Sequence, residues 1–389
     1  MIPRKASETL LRLAKGFPII AITGPRQSGK TTLAKSVFNN KPYISLENLD
    51  ERAFANQDPK RFLARFPDGA ILDEVQRCPS ILSWLQSLVD ERQRMGDFIL
   101  TGSAQLDLMS GISQTLAGRV GRVELLPFSG KELVGYGLSK DLNTLLLQGG
   151  FPAIFDRDVS LEDWFSNYVA TYVERDVRQI LAIQDLNRFQ RFIRLCAARS
   201  AQLLNLSSLA NDCGITSVTA KEWLSVLEAC YLVKIIHPYY QNFGKRLVKT
   251  PKLFFLDVGL MAWLLGIKHN SQLELHPQRG HLFETWVVTE FLKDFYNQGS
   301  QAPLFFWRDQ SGQEIDLLIE RENGLQAIEV KSGATITSDW PKTISLWQKH
   351  TNNNLPPYII YGGYGDYVND KVHYLGWQSL CESKMDSLQ

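Results

Sequence analysis

The sequence predicts an α/β protein in three parts: a doubly wound parallel sheet at the N-terminus, a helical and winged-helix-like middle, and a separate α/β domain at the C-terminus. Three observations predict it. Apolar runs of strand length, starting with residues 17–23, alternate with helical stretches through the first third, the rhythm of parallel strands buried on both faces. A glycine loop stands directly between the first such run and the first long helix. Beyond about residue 275 the pattern restarts as helix, three strands, helix and two strands, as a new domain would.

Taken in order, an opening helix over residues 6–15 leads into the strand at 17–23, and further buried strands are predicted at 42–46, 69–72 and 98–101. The first domain then covers residues 1–135. Residues 136–200 read as a helical lid or connector, broken at Gly149-Gly150-Phe151-Pro152 and including a polar helix with Tyr172, Glu174, Arg175 and Asp176. Residues 201–270 have helix-turn-helix spacing. Short helices over 203–232 are joined at Cys213-Gly214-Ile215-Thr216-Ser217, where either Ser217 or Thr216 is placed to cap the second helix. Strands at 231–238 and 247–256 would form a wing around Asn242 and Gly244. The last domain, 275–389, is predicted as helix 280–294, strands 304–308, 314–320 and 325–331, helix 340–350, and strands 358–361 and 372–375.

A chain of 389 residues exceeds one ordinary core, and 44% hydrophobic with 21% charged residues is an ordinary globular composition. A net charge of +1 means that any grip on nucleic acid must come from local basic clusters. The five cysteines, Cys78, Cys196, Cys213, Cys230 and Cys381, are scattered with no CxxC pair, so they are expected to be reduced thiols. No secretory signal follows Met1, and the apolar run 253–267 is interrupted by Asp257, Gly259 and Gly266. A cytoplasmic protein with no membrane partner is therefore expected.

The chemistry begins at Gly24-Pro25-Arg26-Gln27-Ser28-Gly29-Lys30-Thr31-Thr32. This matches the P-loop pattern and sits where the pattern needs to sit, after a buried strand and before a helix. Its glycines let backbone N–H groups turn inward at phosphates, and the helix N-terminus adds to their field. Lys30 is expected to reach the β and γ phosphates of ATP and Thr31 to place its hydroxyl on Mg2+. Downstream, Ala70-Ile71-Leu72-Asp73-Glu74 is an apolar strand ending in two acids. Asp73 is expected to hold the magnesium through water, and Glu74 to activate the attacking water as general base. Ser103, with Thr101 as the alternative, stands where a sensor of the γ phosphate would.

Together with Leu100-Thr101-Gly102-Ser103 and the stretch Leu116-Ala117-Gly118-Arg119-Val120-Gly121-Arg122-Val123-Glu124, these motifs resemble a bacterial and archaeal ATP-binding family. In that family an AAA-type ATPase is fused to a C-terminal domain of uncharacterised function, and the resemblance covers nearly the whole chain. It implies a homo-oligomer in which Arg119 or Arg122 completes a neighbour's ATP site in trans. The tail has Gln313-Glu314-Ile315-Asp316 and then Ala327-Ile328-Glu329-Val330-Lys331, which resembles the PD-(D/E)XK core of restriction-endonuclease-like domains. In that setting Asp316 and Glu329 would share a magnesium and Lys331 would position water. Glu284 matches the extra acid of many such enzymes. Such cores also serve as binding scaffolds, so cleavage, DNA binding without cleavage and a structural role all stand open. The wing cations Lys245, Arg246, Lys249 and Lys252, with Lys221 on the preceding helix, form the expected DNA-binding set, suited to backbone contacts rather than to reading sequence.

Overall fold

A computed structural model of the chain describes residues 2–102, 116–137, 141–177, 185–239, 248–351 and 355–382. The chain divides into two compact units. Met1–Pro127, with the short inserts Ala229–Tyr231 and Lys293–Gln301, makes the first, and the remaining residues make the second.

The first unit is a parallel sheet between helices. Its strands are β1 (Ile19–Thr23), β2 (Tyr43–Ser45), β3 (Ala70–Asp73), β4 (Phe98–Gly102) and β5 (Val120–Glu124), in the spatial order β2-β3-β4-β1-β5. All four pairings are parallel, with Ile19 opposite both Phe98 and Val120. Helices α1 (Ala6–Leu13), α2 (Lys30–Val37), α3 (Leu49–Gln57), α4 (Pro59–Ala64) and α5 (Ile81–Arg92) complete it. Both sheet faces are covered, so β1 is buried at every position. Ile19 and Ala21 pack with Phe62, Leu85 and Leu100 on one face, while Ile20 and Ile22 pack with Leu33, Ile71 and Ile99 on the other. The two-residue alternation of a strand makes this split. The predicted strands appear within a residue or two. The exception is β5, where Gly121, Arg122 and Glu124 interrupt an apolar pattern that only one side of an edge strand needs.

In the second unit, the connector contains α6 (Gly130–Val134), α7 (Leu142–Gln148), α8 (Pro152–Asp156) and α9 (Leu161–Tyr168), followed by a π-helical segment, Val169–Val177. Tyr172 there is buried, and the helix expected here is π-helical rather than α-helical. Next come α10 (Leu186–Ala198), β6 (Gln202–Leu203), α11 (Leu206–Cys213), α12 (Ser217–Ala229), β7 (Val233–Ile236) and β8 (Lys252–Phe255). The three strands form an antiparallel sheet in the order β6-β8-β7. Phe189 and Phe192 of α10 stand edge-on to Trp223 of α12, at 5.4 and 5.3 Å between ring centroids, and tie the helices together. Thr216, rather than Ser217, supplies the cap, its hydroxyl accepting from the Thr219 amide at 3.1 Å.

After α13 (Val258–Leu264), α14 (Asn270–Leu275) and α15 (Arg279–Asn297) comes a mixed sheet of six strands. These are β9 (Leu304–Arg308), β10 (Glu314–Arg321), β11 (Gly324–Lys331), β12 (Tyr358–Tyr361), β13 (Tyr367–Asn369) and β14 (Val372–Gly376), with α16 (Pro341–Thr351) between β11 and β12. The first three run antiparallel as a meander, and β11, β12 and β14 are mutually parallel. Trp307, Ile315, Leu318, Ile344 and Trp347 form the core on one side. The fully exposed edge strand β13 has no sequence signal to reveal it.

Candidate functional site

The loop after β1 turns because its residues tolerate left-handed backbone. Gly24, Gln27 and Gly29 have φ of 148°, 63° and 92°. Gly24 also lies against the chain beyond β5: a Cβ there would stand 2.1 Å from the carbonyl oxygen of Leu125. Gly24→Ala is therefore expected to push the loop outward. Nucleotide affinity should fall by about tenfold or more and stability by about 1–3 kcal/mol, read by titration with a fluorescent ATP analogue and by thermal melting; unchanged affinity would show that the loop does not hold the nucleotide.

Lys30 opens α2 and is buried. Its ammonium donates to the carbonyl oxygens of Gly24 at 3.0 Å and Pro25 at 2.7 Å, neutral acceptors weaker than a charged phosphate oxygen. Burial pushes this lysine down to about 8, against the opposing pull of Glu74 and Asp73, with Arg26 adding to the fall. A triphosphate in the loop would favour its charged form and raise it again. The Ser28 hydroxyl is buried with no hydrogen-bond partner among the described residues, and Arg4 fastens the loop by donating to the Ser28 carbonyl at 2.9 Å. These features fit a polyphosphate.

Asp73 ends β3, and the parallel sheet brings it beside the start of α2. The Thr31 hydroxyl donates to its two carboxylate oxygens at 3.0 and 3.1 Å. Tyr43 donates to it from β2 at 2.8 Å, and Thr101 donates from the neighbouring strand β4. Thr31 and Asp73 are thus already paired where a hard divalent cation would be shared. Glu74 follows in left-handed backbone with φ 54°, and Gln76 donates to its carboxylate. A non-glycine residue in this region carries strain of about 1–3 kcal/mol. Ser103 lies outside the described residues; Thr101, the alternative, is at the site. The sequence reading missed Arg4, Tyr43 and Tyr231. The Tyr231 hydroxyl shares a 2.8 Å hydrogen bond with Thr23, the residue just before the loop. No local pattern marks such partners, because each comes from a distant part of the chain.

Arg119 lies at the end of β1 away from the loop, where its carbonyl accepts from Ile19, and Arg122 stands beside Ala21 in the middle of β1. The Arg119 guanidinium grips Asp90 on α5 through two bonds of 2.6 and 2.7 Å, and Arg122 is 3.9 Å from Glu124 with 41% of its side chain exposed.

In the second unit, Lys221 and Lys249 are exposed, whereas Lys245 and Arg246 lie outside the described residues. Lys252 does not belong with them. It is 2% exposed and points inward, donating to Glu284 of α15 at 2.8 Å and pairing with Glu314 of β10. The inward turn follows from β8 being the central strand of its sheet, covered on both sides.

The C-terminal acids also depart from expectation. The carboxylates that converge, within 4.8 Å of one another, are Glu284, Glu314 and Asp316. Glu329 is turned to Lys331, at 2.7 Å, and keeps one buried oxygen without a hydrogen-bond partner among the described residues. Asp316 accepts from the Val330 amide at 2.8 Å. Glu314 was legible in principle, since it lies two residues before Asp316 on one strand and so on the same face. Of the expected metal residues Glu284 and Asp316 converge, joined by Glu314 where Glu329 was expected, and the Lys252 ammonium is paired with Glu284 and Glu314.

Among the described residues no helix is long and apolar enough to cross a membrane. Residues 16–134 match the model of the AAA domain, residues 139–271 a domain of unknown function, DUF8612, and residues 279–380 another, DUF4143. The chain is 33% identical over 338 residues to the uncharacterized proteins Rv2008c of Mycobacterium tuberculosis and Mb2031c of Mycobacterium bovis, covering 85% of this chain and 74% of each of those. Among solved structures, the Walker-type ATPase paby2304 of Pyrococcus abyssi overlaps 68% of this chain and 96% of its own, at 16% identity and a TM-score of 0.45.

Proposed function

Because the chain belongs to the family of the uncharacterized mycobacterial protein Rv2008c and carries an AAA-type P-loop ATPase domain, we propose that it hydrolyses Mg-ATP and couples that cycle to DNA binding. The observation that carries the first half is the convergence of Lys30, Thr31, Asp73 and Glu74 around one loop. Backbone N–H groups of the loop, Pro25 excepted, would hold the phosphates, Lys30 would neutralise the β and γ oxygens, and Thr31, with Asp73 through water, would hold the magnesium, which would supply charge neutralisation on the phosphates. Glu74 accepts the proton of the attacking water. Ser103, or Thr101 through its bond to Asp73, reports the γ phosphate. Assembly into a homo-oligomer brings Arg119 or Arg122 to a neighbour's site.

Support for DNA comes from the order helix, strand, two helices and two strands, which suits a winged-helix reading, with Lys221 and Lys249 exposed. With so few cations the contacts are to phosphate, so duplex sequence should matter little. Affinity for a labelled duplex should fall steeply with salt. The Lys221→Ala and Lys249→Ala variants should each lower the slope of log affinity against log salt by about one. ATP turnover should also change when DNA is added. An affinity without salt dependence, together with turnover indifferent to DNA, would favour a nucleotide-controlled switch that binds proteins through its C-terminal parts.

A further inference from the structure

Four carboxylates, Glu284, Glu314, Asp316 and Glu329, stand close together in the C-terminal domain, three of them converging within 4.8 Å. Three cations meet them. Arg308 pairs with Glu314 at 2.5 Å, Lys331 pairs with Glu329 at 2.7 Å, and Lys252 joins Glu284 to Glu314. The first two cations belong to the sheet that bears Glu314, Asp316 and Glu329. Lys252 does not: it opens β8 and reaches across to α15 and β10. Its ammonium also lies 5.4 Å from the centre of the buried Phe306 ring, so one side of the cluster is closed by an aromatic face.

We propose that Lys252 is the resident cation of this cluster, its ammonium occupying the ground that a divalent metal would need between Glu284 and Glu314. The argument is one of space and charge. A hard metal takes carboxylate oxygens at about 2.0–2.6 Å and brings two charges with it. An ammonium bonded to one oxygen each of Glu284 and Glu314 takes up the room between them and supplies their countercharge. Withdrawing a buried lysine leaves carboxylates that must find another cation or take up protons, and a metal then becomes the natural replacement. In this arrangement the cluster therefore leaves no place for a metal between Glu284 and Glu314 unless Lys252 of β8 withdraws.

The test uses the full chain without nucleotide, in an Asp73→Asn background that removes the metal position at the P-loop. Mn2+ is titrated and its bound form followed by electron paramagnetic resonance. With Lys252 present, no binding that depends on Asp316 is expected. Lys252→Met should gain one Mn2+ bound roughly tenfold to a hundredfold more tightly, and adding Asp316→Asn should remove it. Mn2+ should also raise the melting temperature of Lys252→Met and leave the parent unmoved. Should Lys252→Met fail to fold in chelator, the same account expects Mn2+ in the refolding buffer to restore it. The proposal is overturned if the parent binds Mn2+ and loses it on Asp316→Asn, or if Lys252→Met is neither bound nor rescued by Mn2+. A lysine with a merely structural role would yield an unstable variant indifferent to metal.

Discussion

Replacing Glu74 with glutamine is expected to slow ATP hydrolysis by about 10²–10⁴-fold while leaving ATP affinity within a few-fold of the parent. The amide keeps the shape of the carboxylate and its contact with Gln76 but takes no proton from water. Removing the negative charge also withdraws the strongest opposing charge on Lys30, which accounts for the small change in affinity. Phosphate release at saturating ATP and equilibrium titration with a slowly hydrolysed analogue separate the two effects. Unchanged turnover would remove Glu74 from the reaction. Weakened binding with normal turnover per bound nucleotide would make it a ligand-holding group instead.

The rate per subunit should rise with protein concentration, and alanine at whichever of Arg119 and Arg122 reaches the neighbour's site should lower the assembled rate by about 10³-fold or more. Such an arginine neutralises charge that develops on the transferred phosphoryl group, so its loss should appear in kcat far more than in KM. The two arginines differ in cost of release. Arg119 must leave a two-bond pair with Asp90, whereas Arg122 has only a long contact with Glu124. Asp90→Ala frees Arg119 and is expected to leave turnover unchanged or raise it if Arg119 is the residue used. A flat rate per subunit, with both alanine variants active, would dispose of an arginine supplied in trans.

The phosphate loop was legible because its chemistry is local. Glycines that must turn, a lysine and a threonine follow one another within eight positions, and β3 announces itself as an apolar run ending in Asp73. The edge strands β5 and β13 were not legible, since a strand with one open side needs no continuous apolar run. Lys252 shows the sharper limit. By sequence it closes a row of wing cations, identical in kind to Lys245 and Lys249. Only the position of β8 at the centre of its small sheet, facing Glu284 and Glu314, turns that charge from surface to interior.

The sequence by itself determined the α/β rhythm, the P-loop, the paired acids of β3 and the carboxylates of the C-terminal sheet, because each depends on residues near one another along the chain. Tertiary structure decided which groups meet: that Tyr43, Thr31 and Thr101 all donate to Asp73, that Glu314 replaces Glu329 in the converging cluster, and that a lysine is lodged there. The reason is physical. Coulomb and hydrogen-bond energies depend on separations in space, and strand order, which brings distant segments side by side, is not written in any single stretch of sequence.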